Sequence, residues 1–157
     1  MNSIHYKTWN PFETGITRDS ESISHPLRIK PASRFLVQAV PDLFHHSIEF
    51  EVIERIFAVM SLCPSHRFHV IASNQVKKDE FFQHHMFDFA KSINESMEHF
   101  DDYIRGRNGT VRRSLKSVGW DYAFERSGDD EHDYKFFYHG PSIPAQITLQ
   151  RNVEQSL

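Results

Sequence analysis

Asp42, His45 and His46 are the residues of this 157-residue chain whose types and spacing are best suited to chemistry. They follow an apolar run, Arg34 to Val40, that indicates a buried strand. α/β folds usually place ligands on the loop that follows the carboxyl end of a strand. A carboxylate and two imidazoles there could bind a metal ion or act as acid and base. In the alternative interpretation, Asp42 caps a turn and the histidines contact a partner or are inherited without a role.

A second candidate site is a basic segment that spans a glycine-containing loop and the start of a short predicted helix. Its cations are Arg105, Arg107, Arg112, Arg113 and Lys116, and no acidic residue lies among them. Free N–H groups at a helix N-terminus and arginine side chains both suit phosphate or carboxylate. Trp120 and Tyr122 follow closely and could stack on bases. The segment predicts an anion-, partner- or nucleic-acid-binding surface, and the alternative is a solvated patch that balances nearby acids.

Thiol and imidazole chemistry is sparse. Cys63 is the only cysteine, so an internal disulfide is excluded and a reducing compartment is indicated. Of the 11 histidines, no pair has convincing metal spacing. His66 and His69 should face opposite sides of a strand, and the adjacent His84 and His85 diverge on a helix. We therefore predict no metal and no cofactor, and we expect Cys63 to serve packing.

The composition is that of a soluble globular protein. The chain is 39% hydrophobic and 25% charged, and its 14 phenylalanines predict a core built on large rings. The net charge of −3 gives no global attraction to nucleic acid, so such binding must be local. Neither a signal pattern nor an apolar run of membrane length is present, which predicts a cytoplasmic protein with no membrane partner.

Residues 34–75 predict a parallel βαβ unit. The strand Arg34 to Val40 is followed by a helix from Glu49 to Leu62 and by a second strand from Arg67 to Ala72. The helix carries apolar residues at helical spacing and ends before Pro64. Its polar face is expected to contain Glu51, Glu54 and Arg55. Strand, helix and strand in so short a stretch are typical of a parallel crossover.

The remaining residues complete a single predicted domain over 1–157. Residues 1–33 are polar and broken by prolines, which predicts an irregular lead-in. Residues 76–157 predict a long helix from 78 to 105, a short helix from 111 to 117 and a three-strand segment. Two of those strands, 120–125 and 134–138, form an antiparallel hairpin, and the third is 145–149. The predicted fold class is α/β, and α+β overall.

The first half also resembles a known family. The segments Trp9-Asn10-Pro11, Gly15, Lys30-Pro31 and Asp42-Leu43-Phe44-His45 occur here in the order found in the phage three-Cys-motif proteins. These are radical-SAM-like proteins with barrel-type βα units. The resemblance covers roughly residues 4 to 75. It implies a phage or prophage origin and, in complete members, cysteines that follow the glycine.

This chain departs from that pattern where the chemistry would be. Ile16 stands in the position of the first cysteine, and residues 17–24 contain none. Iron–sulfur clusters of this kind are held by thiolates, which isoleucine cannot replace. A closed eight-unit barrel also needs about 200 residues or more. We therefore expect a remnant of a partial barrel, without cluster-dependent radical chemistry.

No nucleophile signature, phosphate loop or zinc motif occurs in the sequence. We therefore expect a non-catalytic, phage-encoded binding protein that occupies a host protein or nucleoprotein complex. A bacterial defence complex of the CRISPR type is one such target. The first alternative is a nucleic-acid-binding protein that uses the basic segment. The second is a metal-assisted enzyme that uses Asp42, His45 and His46.

Overall fold

The computed structural model describes residues 5–85, 89–100, 120–124, 134–138 and 145–151 of the chain. Within these ranges, none of the helices has the length and apolar character needed to cross a bilayer. The strands and helices are β1 (Lys7–Trp9), α1 (His25–Arg28, after a 3-10 turn at Glu21–Ser24), β2 (Arg34–Val37), α2 (Phe50–Ser61), β3 (Arg67–Ala72), α3 (Gln75–His85), α4 (Phe89–His99), β4 (Trp120–Phe124), β5 (Tyr134–Tyr138) and β6 (Ile147–Arg151).

Four strands form one parallel sheet in the order β1-β2-β3-β6. The prediction of an α/β fold is confirmed, and β2, α2 and β3 form the expected parallel βαβ unit. The predicted hairpin is also confirmed, because β4 and β5 pair antiparallel in a separate sheet. The strands are parallel where helices connect them because a crossover helix returns the chain to the same end of the sheet.

The core lies between this sheet and the helices. On the sheet side, Phe35 of β2 and Phe68 of β3 stack with ring centroids 5.5 Å apart, and Trp9 of β1 packs 5.9 Å from Phe68. On the helix side, Phe57 of α2 contacts Phe81 of α3 at 5.5 Å. These rings belong to one buried cluster that also includes Ile93 of α4, so all the longer helices that the structure describes gather on one face of the sheet.

Residues of α2 follow the predicted pattern with one exception. Ile53, Ile56, Phe57 and Met60 are buried as their spacing predicts, and Phe50 packs against the core while partly buried. Arg55, expected on the polar face, is instead only 5% exposed. Its position on the border of the apolar stripe lets α4 cover it, and the pattern of α2 alone contains no information about α4.

The first 33 residues differ from the predicted irregular lead-in. Lys7–Trp9 form β1 at the edge of the sheet, and Trp9 donates its indole N–H to the carbonyl of Ser22 at 2.8 Å. A three-residue strand is too short to produce a recognisable alternation of apolar residues, which explains why the sequence does not predict it. A turn and the helix α1 follow, so this segment is an integral part of the fold.

His66 fastens the lead-in to the sheet. The N–H of Ser33 donates to Nδ1 of His66 at 3.1 Å. The neutral ring then carries its proton on Nε2, which lies 3.1 Å and 3.0 Å from the carbonyl oxygens of Pro26 and Ile29. The ring is buried, at 2% exposure, and packs edge-on against Phe35. One side chain thus joins the segment after α1 to both central strands.

The second half differs from the sequence prediction in one respect, and part of it lies outside the described residues. Over the predicted long helix, the structure describes α3 and α4 on either side of residues 86–88, which lie outside the described residues together with 101–105. The predicted third strand pairs parallel with β3 in the main sheet and not with the hairpin. The short helix predicted at 111–117 also lies outside the described residues.

Replacing His66 with alanine should destabilise the protein by about 2–4 kcal/mol, because buried backbone groups lose their partner. Chemical denaturation of the purified variants measures this change. The exposed His46 provides the control, and His46→Ala should change the free energy of unfolding by less than about 0.5 kcal/mol. Equal stability of the two variants would contradict the role given to His66.

Candidate functional site

Asp42 lies in the loop after β2, at the carboxyl end of the sheet, and both of its carboxylate oxygens are engaged. Oδ2 accepts the N–H of Phe44 at 3.0 Å, and Oδ1 accepts the N–H of Ser73 at 3.2 Å. The first bond caps a turn, and the second ties this loop to the end of β3. The geometry is therefore that of the turn-capping alternative, with one backbone N–H bound to each carboxylate oxygen.

His45 and His46 lie next to each other on the same loop. Their ring centroids are 4.1 Å apart. Nδ1 of His45 accepts the N–H of Ser47 at 3.2 Å and lies 2.7 Å from the Ser47 hydroxyl. Among the residues that the structure describes, no three histidine, cysteine or acidic side chains converge on a point where a metal ion could bind. The structure thus brings the two rings together without assembling a ligand set around them.

Lys77 was not singled out from the sequence, yet it holds this loop in place. Its ammonium donates to the carbonyl of His45 at 2.6 Å and also to the carbonyl of Ile48. It lies 5.5 Å from the centre of the Phe50 ring. Burial lowers the pKa of Lys77. No sequence pattern marks this residue, because its partners are backbone carbonyls about 30 residues earlier in the chain.

A polar cleft of about 430 Å³ lies between β1 and the turn before α1. Its lining includes two acids, Glu13 and Glu21, and two basic residues, His25 and Arg28. Burial, and then the charge of Arg28, lowers the pKa of His25. The complete lining is Thr8, Trp9, Asn10, Glu13, Thr14, Glu21, Ser22, His25 and Arg28. Such a mixed lining can offer both hydrogen-bond donors and acceptors.

Beside the cleft, three hydroxyl groups hold the loop that follows β1. Oγ1 of Thr14 lies 2.6 Å from Oγ of Ser20 and 3.0 Å from Oγ of Ser22. The two serine oxygens are 3.0 Å apart, and Ser22 also donates to the carbonyl of Pro11 at 2.6 Å. These hydroxyls satisfy one another, and we call them the hydroxyl triad.

The residues of this loop do not fit an iron–sulfur cluster. The ligands of such a cluster are thiolates, and the loop offers hydroxyls and the half-exposed Ile16. The single thiol, Cys63, is buried just beyond the end of α2. No step of a reaction can be assigned to a cluster held by these side chains.

The sheet has a second face, opposite the helices, which we call the open face. Register and contacts define it: Tyr6 lies 6.1 Å from His69, ring to ring, and His69 hydrogen-bonds to Gln150. Arg34 of β2 and Arg67 of β3 are register partners and are both exposed. The residues of the open face are Tyr6, Thr8, Arg34, Leu36, Arg67, His69, Ile71, Thr148 and Gln150.

The open face is unusual in its exposure and its charge. Parallel sheets are normally covered on both faces. Here Tyr6 is 47% exposed and Arg34, Arg67 and Thr148 are also exposed, while Leu36, His69 and Ile71 are half-buried. None of the nine residues of this face is acidic. The sequence signal for this face is the repeated Arg-Phe pair, at 34–35 and 67–68. Because side chains alternate along a strand, each arginine lies on the face of the sheet opposite the buried ring that follows it.

The basic segment from Arg105 to Lys116 lies outside the described residues. Its five cations, Arg105, Arg107, Arg112, Arg113 and Lys116, therefore stay a prediction from the sequence. Described strands follow it, but the side chains of Trp120 and Tyr122 are likewise outside the description.

The free energy of unfolding should fall as the pH is lowered through the histidine range, partly through His25. The pKa of His25 is lowered in the folded protein, so the unfolded chain takes up a proton first. The contribution of the neutral ring is complete above its ordinary value of 6.5 and is lost as the pH falls toward the lower, folded pKa. Denaturation curves between about pH 7.5 and 5 measure this dependence, and His25→Gln should flatten it. The exposed control His46→Gln should keep the slope of the parent protein, and an unchanged slope in His25→Gln would contradict the assignment.

Comparison with known proteins gives a family but no function. A search of curated proteins and a search of solved structures each found no match. One family model does match, described as a protein of unknown function (DUF5131), and it covers residues 2–123. The matched region contains the first three strands of the main sheet and all four described helices. Since it takes in well over half of the chain, the protein belongs to the DUF5131 family.

Proposed function

We propose that this protein is a non-catalytic binding protein whose open face binds single-stranded nucleic acid, free or as part of a host nucleoprotein complex. The observation that supports this proposal is the pair of exposed arginines, Arg34 and Arg67, at matched positions on a sheet face without acidic residues. The overall charge of −3 offers no such attraction, so the local pattern is what favours a polyanion.

The geometry of the open face suits a single strand. Neighbouring strands of a sheet are about 4.8 Å apart, so their side chains form a regular array. Arginines in such an array can contact successive phosphates, while exposed rings offer stacking surfaces for bases. Tyr6 and His69 lie beside the two arginines and could provide these surfaces. The face also carries hydrogen-bonding groups that could contact a strand of any base sequence, on Thr8, Thr148 and Gln150.

The wider biological role rests on the resemblance to phage three-Cys-motif proteins. We infer that the protein is phage- or prophage-encoded, acts in the cytoplasm of a bacterial host and works by occupying a host complex. A defence complex that contains a guide or target strand would present the chemistry that the open face suits. The engagement of both Asp42 oxygens favours this binding role over the metal-assisted enzyme.

Replacing Arg34 and Arg67 together with alanine should weaken binding to a fluorescent single-stranded oligonucleotide by tenfold or more. Fluorescence anisotropy across a range of salt concentrations measures the effect. Each lost phosphate contact should also reduce the salt slope by about 0.7 for a single strand. Arg28→Ala is the control, since Arg28 is an exposed arginine at the cleft and not on the open face. An oligonucleotide that fails to bind at low salt would overturn the proposal.

The same assay separates the open face from the basic segment. If Arg112→Ala and Arg113→Ala abolish binding while the Arg34 and Arg67 variants do not, the basic segment is the binding site. Capture of partners from host lysate by tagged protein then tests the host role. Recovery of a stoichiometric nucleoprotein complex, lost in the Arg34 and Arg67 double variant, is the expected result, and recovery of no stoichiometric partner would reject that role.

A further inference from the structure

Arg55 is the least expected residue in the interior of this protein. Its side chain lies between α2 and α4 and is only 5% exposed. Its closest polar contact runs from Nη1 to the hydroxyl of Ser96 at 3.5 Å, and its Cζ lies 5.5 Å from the centre of the Phe100 ring. Among the residues that the structure describes, its Nε finds no hydrogen-bond partner.

Such an arrangement is costly. A buried charge is normally paired or fully hydrogen-bonded, because removal from water is not otherwise offset. Buried polar atoms without partners are few in folded proteins, and each requires an explanation. Within the described residues, Arg55 forms no ion pair with a carboxylate, and a bond of 3.5 Å to Ser96 contributes little. The guanidinium therefore retains most of its capacity to bind an anion.

A second arginine reaches the same turn of α4 from the lead-in. Nη2 of Arg18 lies 3.2 Å from the carboxylate of Glu95, the neighbour of Ser96. Nε of Arg18 is buried and has no partner within the described part of the chain. Burial, and then the positive charge of Arg18, lowers the pKa of Arg55, while the carboxylates of Asp19 and Glu95 raise it. The Arg18 side chain is 42% exposed, so the site opens to solvent at this end.

The acids near Arg55, Glu95 and Asp19, lie at the surface and have other partners. The side chain of Glu95 is 45% exposed and is paired with Arg18. The side chain of Asp19 is 69% exposed and lies 3.7 Å from Nε2 of His99. Both carboxylates are screened by water, whereas the charge of Arg55 is buried. The buried charge at this junction is therefore positive, and the carboxylates that offset it lie at the surface.

We propose that Arg18, Arg55 and the hydroxyl of Ser96 form a binding site for a phosphate group. The group is either free phosphate or the end of a phosphomonoester, since both present the same tetrahedral oxygens. Guanidinium N–H groups match these oxygens in direction and charge, and a hydroxyl can donate to a third. The site lies among the helices, on the opposite side of the sheet from the open face, and is independent of the proposed nucleic-acid binding.

Thermal unfolding in low-millimolar phosphate tests this site. Phosphate should raise the unfolding temperature saturably, because a ligand that binds only the folded state stabilises it. The shift should disappear in Arg18→Gln and in Arg55→Met. Arg28→Gln is a matched control, because Arg28 is 39% exposed and also contacts one acid, Glu21, at 3.8 Å. This control should keep the full shift, and chloride at equal ionic strength should produce none.

Arg55→Met adds a readout that a purely structural role would not give. Without phosphate, this variant should be at least as stable as the parent, because a buried charge without a carboxylate partner is replaced by an apolar side chain of similar length. If Arg55→Met does not fold, Arg18→Gln still decides the question, since its side chain is partly exposed. Equal phosphate shifts in all variants, or no shift in the parent protein, would overturn the proposal.

The two sources of the phosphate are separated in the same experiment. Inorganic phosphate and adenosine 5′-monophosphate are compared at equal concentration. A larger shift with the nucleotide assigns the site to the end of a phosphomonoester, and an equal or smaller shift assigns it to free phosphate. A shift with the nucleotide that persists in Arg18→Gln would count against the site.

Discussion

The stacking of Phe35 on Phe68 is the interaction on which the rest of this structure depends. The two rings occupy matched positions on neighbouring strands and lie beneath the helices. Because side chains alternate along a strand, burying these rings forces the residues before them, Arg34 and Arg67, onto the opposite face. The hydrophobic core and the basic open face are therefore two results of one register, and neither can change without the other.

The loops around this core are fixed by polar side chains that bind backbone atoms. Asp42 binds two N–H groups, Lys77 binds two carbonyls, and His66 bridges an N–H and two carbonyls. Residue types that suggest catalysis in a sequence are here used for architecture. The same chemistry serves both purposes, since a carboxylate or imidazole that could bind a ligand can equally bind the main chain.

The sequence predicts this fold where local patterns are strong. An apolar run places β2, the period of 3.6 residues places α2 and alternation places β3, although β2 ends at Val37 and not at Val40. The turn between β4 and β5 indicates their pairing. Lys7–Trp9 escapes prediction because three residues carry no period. Arg55 is misplaced because its burial depends on α4, and β6 is misplaced because β3 offers its edge only in the folded protein. The exposure of one sheet face is signalled only by the arginines before Phe35 and Phe68, because Leu36 and Ile71 on the same face are apolar.

The hydroxyl triad has a consequence for which side chains the loop after β1 can accept. Thr14, Ser20 and Ser22 shape this loop through contacts among their own hydroxyl groups. Each hydroxyl is a partner of the other two, so the loss of any one leaves both of the others with one hydrogen bond fewer. A thiol is only a weak donor and a weak acceptor. The geometry of this loop therefore depends on oxygen at all three positions.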